Sequence, residues 1–176
     1  GSVNCTHAVW NLMREQGYGR IVFTTSSSGL YGNFGQANYS AAKMGLVGLM
    51  QTLAIEGERY DIRVNSLAPS AATGMTSGLY ASDDLARLGS DMVAPAVVAL
   101  SAEEAPTRAI ILAGAGRFAQ AHITMTNGVY LLDEDDTAAA VLAHMDRIGD
   151  RMGDHVPASG PEQHRMEVAG LQELVQ

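Results

Sequence analysis

A long helical stretch between two strand-like runs is the feature that most constrains the fold of this chain. The runs RIVFTT, residues 20–25, and IRVNSL, residues 62–67, are rich in β-branched and aromatic side chains, as buried strands are. Between them, small and apolar residues recur at helical spacing over residues 38–58. Two strands joined by such a helix pair in parallel with a right-handed connection. The pattern therefore predicts an α/β fold.

The same patterns extend to both sides of this unit. Residues 2–16 have apolar side chains at helical spacing, and residues 109–113 form a third apolar run that ends at the Gly-Ala-Gly sequence 114–116. We expect the three strands to be adjacent and parallel. Further helices are predicted at about residues 83–88 and 93–101, after Asp133–Asp136 with Val141, Met145 and Ile148 on one face, and from Pro161.

Composition excludes several classes of function. The chain has 176 residues, is 47% hydrophobic and has a formal net charge of −8, which fits one soluble globular domain. Clustered lysines and arginines are not visible, so no nucleic-acid partner is expected. No apolar run reaches about 18 residues and no signal peptide pattern is present, which predicts no membrane partner and a cytoplasmic location. A single cysteine and five histidines without ligand spacing predict no metal site.

Tyr39 and Lys43 are the candidate catalytic pair. Lys43 is the only lysine in the chain, and it follows Tyr39 by four positions, so both side chains lie on one face of the predicted helix. A nearby ammonium favours the phenolate, which makes a tyrosine able to exchange a proton with an alcohol or carbonyl oxygen. Ser26, at the carboxyl end of the first predicted strand, is placed to hydrogen-bond the same oxygen. These roles describe the interconversion of a hydroxyl and a carbonyl, which also requires a hydride carrier.

The run GRIVFTTSSSGLYGNFGQANYSAAKMGLVGL resembles the active-site region of the short-chain dehydrogenase/reductases. It has a serine thirteen residues before the tyrosine and the YxxxK pair, and IRVNSLAPS follows it. In detail the sequence is most similar to the (3R)-hydroxyacyl-CoA dehydrogenase units of peroxisomal multifunctional enzymes and their bacterial relatives. The resemblance implies an oxidoreductase that uses NAD or NADP, with NAD favoured. It also implies a small-molecule substrate, in particular a 3-hydroxyacyl or 3-oxoacyl thioester such as an acyl-CoA.

The resemblance implies a role for each residue of the site. Ser26 polarises the substrate oxygen, Tyr39 is the acid and base, and Lys43 holds the nicotinamide ribose. The expected cofactor contacts are Tyr39, Lys43, Pro69, Ser70, Thr76 and the backbone of Ala72, and the expected substrate pocket residues are Tyr31, Asn33, Phe34 and Gln36. Ser70 stands where many relatives have glycine.

The resemblance covers residues 1–118 and matches the second half of a Rossmann-like, doubly wound parallel sheet. Residues 119–176 are expected to form a helical extension. The Gly-rich phosphate-binding turn and the residue that separates NAD from NADP have no counterpart in the sequence, so we expect the nucleotide-binding half to be missing from this chain. Relatives pair through the helices that correspond to residues 2–16 and 38–58, which predicts a homo-oligomer.

Two alternatives to this function stay open. The first is an inactive remnant or interaction module that pairs through its long helix. The second is an oxidoreductase with another substrate class, either an acyl-carrier-protein reductase or a steroid or alcohol dehydrogenase, because pocket loops vary freely on one fold.

Overall fold

Four strands form one sheet in the order β1-β2-β3-β4. They are β1 Gly19–Thr24, β2 Ile62–Pro69, β3 Ile110–Gly114 and β4 Arg117–Ala121. In the computed structural model, which describes residues 1–74, 81–132 and 137–174, the sheet belongs to a first unit, Gly1–Ala121, and a second unit comprises His122–Gln176. β1 pairs with β2 and β2 with β3 in parallel, which confirms the predicted three adjacent parallel strands, whereas β4 is antiparallel to β3.

The helices of the first unit, apart from the second, follow the predicted pattern closely. They are α1 Ser2–Gln16, α2 Ser27–Tyr31, α3 Ala37–Gly57, α4 Ser82–Leu85 and α5 Ala94–Ser101, with short 3-10 turns at Glu58–Tyr60 and Ser90–Met92. α1 ends at Gly17, whose φ of 65° is left-handed and whose N–H bonds the Met13 carbonyl, as helix ends with glycine do. α3 connects β1 to β2 as predicted.

The sheet has helices packed on both faces. Val47, Met50 and Ala54 of α3 recur at helical spacing and pack against strand side chains. The strand residues of this cluster are Phe23, Ile62, Val64 and Ile110. Leu67 of β2 lies instead in a second cluster, with residues of α5. Because successive side chains of a strand point to opposite faces, Val64 and Leu67 face different sides of the sheet.

Two buried polar side chains tie the strands to the segment between α5 and β3. Arg20 of β1 donates to the carbonyls of Ala102 and Glu103 and to both the carbonyl and the carboxylate of Asp61. Asn65 of β2 donates to the Pro106 carbonyl, and its Oδ1 accepts the N–H of Ala109. These bonds satisfy backbone groups that precede β3, and so they fix where that strand enters the sheet.

Two elements of the first unit were not predicted. The segment after β1, for which the sequence patterns predict no helix, forms the helix α2. The Gly-Ala-Gly sequence does end β3, but it also begins a hairpin to β4, with Gly114 paired to Arg117. Ala115 and Gly116 have φ values of 49° and 75°, and positive φ at both central residues is what a type I′ hairpin turn requires.

The second unit contains α6 Thr137–Ala143, α7 Met145–Ile148 and α8 Pro161–Leu174. The single amphipathic helix predicted after Asp133–Asp136 is thus two helices that meet at His144, while the predicted start of the last helix is confirmed. Asp133–Asp136 lie outside the described residues. The expected domain boundary after residue 118 stays a prediction, and that position falls within β4. No helix in the described ranges has both the length and the apolar character needed to cross a membrane.

Candidate active site

Ser26 lies at the carboxyl end of the parallel strands, directly after β1 and one residue beyond Thr25. It is half-buried and is the N-cap of α2, with its Oγ accepting the backbone N–H of Ser28 at 3.2 Å. A serine hydroxyl that accepts in this way keeps its own proton for donation. The local sequence therefore folds so that Ser26 can serve a helix and a ligand together.

Tyr39 and Lys43 lie on one face of the first turns of α3. The Lys43 Nζ is 5.6 Å from the centroid of the Tyr39 ring, and it donates a 2.8 Å hydrogen bond to the carbonyl of Thr24 at the end of β1. Tyr39 is 38% exposed, so its ring is open to a ligand. The ammonium thus lies between the end of β1 and the Tyr39 ring.

Two neighbours of this pair were missed by the sequence analysis. The Oγ1 of Thr25 donates to the Lys43 carbonyl at 2.8 Å, and Thr25 is 2% exposed. Gly29 of α2 lies against the same turn of α3, because an added Cβ there would be 2.8 Å from the Lys43 Cβ and 3.1 Å from the Met44 nitrogen. A glycine in the run SSSG is the signal that a close approach was required, but the partner of that approach is 14 residues away in sequence.

The loop after β2 approaches β3 closely. The Ser70 N–H donates to the Ala113 carbonyl at 2.8 Å, and an added Cβ at Gly114 would be 2.8 Å from the Ser70 carbonyl oxygen, so glycine is needed there. The Ala72 N–H donates to the Leu88 carbonyl at 2.6 Å, so the predicted ligand contact through its backbone is left to the carbonyl. Pro69 closes β2, and Thr76 lies outside the described residues. These cofactor contacts stay predictions.

The residues predicted to line the substrate pocket form an exposed segment between α2 and α3. Tyr31 is 67% exposed, and both Asn33 and Phe34 are also exposed. Gln36 is half-buried, and its Oε1 is one of the buried side-chain atoms with no hydrogen-bond partner among the described residues. The four residues adjoin the helix end that carries Tyr39, and their contact with a substrate stays a prediction.

The hydrogen-bond donors of Tyr39 and Lys43 fit the nicotinamide ribose of a dinucleotide. An ammonium and a phenol hydroxyl lie together on α3, and open α/β sheets bind ligands at the carboxyl ends of their strands. A sugar with two neighbouring hydroxyls can accept from both groups. Tyr39 and Lys43 therefore fit the ribose of the nicotinamide nucleotide that the proposed hydride transfer requires. In the described part of the chain, no group of three or more His, Cys, Asp or Glu side chains forms a metal-binding cluster.

Comparison with known proteins relates this chain to a family of dehydrogenases. Residues 1–84 match the model of the family described as short chain dehydrogenase. A short-chain type dehydrogenase/reductase of Mycobacterium tuberculosis is 42% identical over 154 residues, which are 87% of this chain and 54% of that protein. Residues 1–84 are thus similar to the short-chain dehydrogenase family, and the chain spans about half the length of this curated relative.

Two further relatives are named for particular enzymes. The structure of full-length peroxisomal multifunctional enzyme type 2 from Drosophila melanogaster matches 98% of this chain with a TM-score of 0.85 and 34% identity, and the match covers 32% of that protein. An acetoacetyl-CoA reductase of Rhizobium meliloti is 49% identical over 69 residues, which are 39% of this chain and 29% of that enzyme. The similarity to the multifunctional enzymes that the sequence predicts is confirmed.

Proposed function

We propose that this chain carries the proton-transfer site of an NAD(P)-dependent oxidoreductase that interconverts a hydroxyl and a carbonyl. The observation that carries the proposal is the position of the Lys43 ammonium, 5.6 Å from the Tyr39 ring and bonded to the Thr24 carbonyl. An ammonium held beside a phenol attracts the negative charge that develops on the phenol oxygen while its proton is transferred. Similarity to the short-chain dehydrogenase family supports the same class of reaction.

Each of the three side chains has one part in this reaction. Tyr39 donates its phenolic proton to the carbonyl oxygen in reduction and removes the hydroxyl proton in oxidation. Ser26 donates a hydrogen bond to the same oxygen and stabilises the negative charge that develops there. Lys43 stabilises the phenolate and binds the ribose of the nucleotide. A bound nicotinamide supplies the hydride in reduction and accepts it in oxidation.

The substrate that we propose is a 3-hydroxyacyl or 3-oxoacyl thioester, such as an acyl-CoA, with NAD as the favoured cofactor. The names of the relatives support a thioester, since one is an acetoacetyl-CoA reductase. An acyl-carrier-protein reductase and a steroid or alcohol dehydrogenase are the alternatives within the same class. The cytoplasmic location stays a prediction, because a matching protein is named as peroxisomal.

We also propose that residues outside this sequence supply the nucleotide-binding part. In the sheet that the described residues form, β1 is an edge strand, because it pairs with β2 alone, and the chain spans 54% of a curated relative. Calorimetric titration of the 176-residue chain with NAD and with NADP should then give no measurable binding. Micromolar affinity for either nucleotide would show that residues 1–176 contain a complete nucleotide site.

Replacement of the proposed acid and base tests the function. In an active form that contains this chain, Tyr39→Phe should lower kcat by a factor on the order of hundreds or more, because the phenol proton is lost while the ring remains. The measurement follows the absorbance of the reduced nicotinamide during turnover of a 3-oxoacyl thioester. Tyr130→Phe, which removes a phenol from the second unit, is the matched control and should leave kcat unchanged. Near-normal turnover by Tyr39→Phe would assign proton transfer to another group.

The alternative of an interaction module makes the opposite forecast. If the chain acts only through binding, no form that contains it will reduce a carbonyl, and Tyr39→Phe will have no effect on association with its partner. The exposed phenol and the bonded ammonium give no advantage to such a module, and for that reason we favour the enzyme.

A further inference from the structure

We propose that Thr25 is a positioning residue that holds Lys43, and with it the start of α3, at a fixed distance from the end of β1. The proposal rests on the proposed function for its catalytic meaning, but the geometry stands by itself. In the sequence, Thr25 lies between Thr24, whose backbone carbonyl accepts a hydrogen bond from the Lys43 ammonium, and Ser26, which is the N-cap of α2. One buried hydroxyl therefore sits at the junction of the three predicted catalytic side chains.

The contact between the strand and the helix is reciprocal. The Oγ1 of Thr25 donates to the backbone carbonyl of Lys43 at 2.8 Å, while the Nζ of Lys43 donates to the backbone carbonyl of Thr24 at 2.8 Å. The two bonds run in opposite directions between one dipeptide and one residue, so they fix both the backbone and the end of the side chain of Lys43. A lysine has several rotatable bonds, and it is held only if both ends have a partner.

The hydroxyl bond is a tertiary contact and not a local one. A threonine within a helix commonly bonds the carbonyl four residues before it, as Thr52 does with Gly48 at 3.3 Å on this same helix. Thr25 instead reaches a carbonyl 18 residues later in the sequence. Its backbone N–H is also held, by the Leu67 carbonyl of β2 at 2.8 Å, so the donor hydroxyl is anchored to the sheet.

Gly29 of α2 makes a second close contact with Lys43 of α3. An added Cβ at Gly29 would be 2.8 Å from the Lys43 Cβ, which is closer than real side chains pack. α2 therefore approaches α3 at the residue whose carbonyl Thr25 binds. With Ser26 as the N-cap of α2, the contacts of Thr25 and Gly29 lie on either side of it and fix its distance from Lys43.

The single lysine of the chain makes the position of Lys43 directly measurable. Reductive methylation with formaldehyde and cyanoborohydride modifies free amines, and peptide mapping by mass spectrometry gives the rate at Lys43, with the amino terminus of the chain as internal reference. Thr25→Val removes the hydroxyl and keeps the shape of the side chain. Methylation of Lys43 should become several-fold faster in Thr25→Val, because the loosened strand end no longer holds the ammonium at the Thr24 carbonyl.

Three further variants separate positioning from folding. Thr25→Ser keeps a hydroxyl and should restore the slow rate, and Thr52→Val removes a hydroxyl from α3 without touching Lys43 and should leave the rate unchanged. Thr25→Ala is a second variant that lacks the hydroxyl and is used if Thr25→Val does not melt cooperatively. An unchanged rate in a folded hydroxyl-free variant would overturn the proposal, as would failure of both variants to fold, since Thr25 would then be a folding residue.

Turnover of an active form then distinguishes this proposal from the proposed function. Thr25→Val should lower kcat by at least about tenfold with little change in the KM for substrate, because a misplaced catalytic group weakens the chemical step more than binding. Recovery of kcat in Thr25→Ser is expected. Faster methylation without a loss of kcat would show that Thr25 holds Lys43 in place, and it would contradict the proposed role of Lys43 in catalysis.

Discussion

The two units of this chain differ in what holds them together. Among the residues that the structure describes, the buried hydrophobic side chains lie in the first unit, with the single exception of Ala140 in the second. The first unit thus has an apolar core between a sheet and its helices, whereas the second has helices without such a core. Burial of apolar surface is the dominant favourable contribution to folding, so the two units should respond differently to the same substitution.

Their polar contacts differ in the same way. In the first unit, the side chain of Arg20 is 5% exposed and stacks 4.2 Å from the ring centroid of Tyr18. In the second unit, the Arg151 side chain that pairs with Asp154 is 77% exposed. Loss of a buried guanidinium leaves carbonyls without a donor and lowers the free energy of unfolding strongly. Loss of an exposed ion pair changes it little. Each prediction below compares one change in the two units.

The largest difference is expected for a methionine. Met50 is 0% exposed in the core beneath α3, whereas Met152 of the second unit is 82% exposed. Met50→Ala should lower the free energy of unfolding by about 2–5 kcal/mol, because it removes buried methylenes and leaves a cavity. Met152→Ala should change it by less than about 0.5 kcal/mol.

Urea denaturation at neutral pH measures both changes. Trp10, the only tryptophan, packs against the core of the first unit, so its fluorescence follows that unit. Because units can unfold separately, amide exchange of α8 follows the second unit. Equal effects of the two substitutions on the Trp10 transition would contradict the distinction between a unit with an apolar core and one without.

A smaller difference is expected for arginine. Arg20→Lys should destabilise the first unit by about 1–3 kcal/mol, because a lysine ammonium cannot donate to Asp61, Ala102 and Glu103 together and buried carbonyls then lack a donor. Arg151→Lys keeps an exposed charge beside Asp154 and should change stability by less than about 0.5 kcal/mol. The same two probes apply, and a neutral Arg20→Lys would show that the bonds of Arg20 are replaced by water.

Most of the fold of the first unit is predictable because apolar periodicity alone specifies it. β1, α3 and β2 each carry a repeated pattern over six or more residues. α2 and β4 do not. α2 has five residues and exists because Ser26 caps it and Gly29 permits its packing on α3, while β4 is largely exposed and is fixed by a hairpin turn of two residues.

The residues of the candidate site also differ in whether a sequence pattern specifies their contacts. Tyr39 and Lys43 are predictable because a spacing of four residues puts side chains on one face of any helix. Thr25 was not, because its partner is a backbone carbonyl that only the packing of β1 on α3 brings near. The sequence names side chains, and a contact from a side chain to a distant backbone atom leaves no residue pattern to recognise.

The exposed glycines of α3 allow a test in which stability and association change in opposite directions. An added Cβ at Gly48 meets no atom within 4 Å, so Gly48→Ala should stabilise the isolated first unit by about 0.5–1 kcal/mol through helix propensity. If α1 and α3 form the contact between copies that the resemblance predicts, the same Cβ should overpack that contact and raise the dissociation constant about tenfold. Sedimentation velocity at tens of micromolar measures association.

The control for this test lies in the second unit. His164 is exposed on α8, and His164→Ala should leave association unchanged. A strict monomer at these concentrations, or a dimer with an unchanged dissociation constant in Gly48→Ala, would count against self-association through α3.

The smallest effect concerns acid, and it separates the units by their polar contacts. The Ala158 N–H and the His155 ring beside Glu162 hold the pKa of this carboxyl below its ordinary value of 4.5. The Arg151 guanidinium likewise holds the pKa of Asp154 below its ordinary value of 3.8. A carboxyl whose pKa is lower in the folded state contributes stability that is present above its unfolded pKa and is lost as pH falls through its folded pKa.

The start of α8 should therefore lose protection as pH falls below about 4.5, while the apolar core still holds the first unit. We expect amide exchange in α8, corrected for its intrinsic pH dependence, to accelerate a few-fold in this window before the fluorescence of Trp10 changes. Glu162→Gln cannot ionise, so its α8 should exchange faster than that of the parent protein at neutral pH and respond less to acid. If the first unit unfolds at the same pH as α8, the carboxylate of Asp61 stabilises the sheet as much as that of Glu162 stabilises the helix. This outcome has a physical basis, since Arg20 holds the pKa of Asp61 below its ordinary value as well.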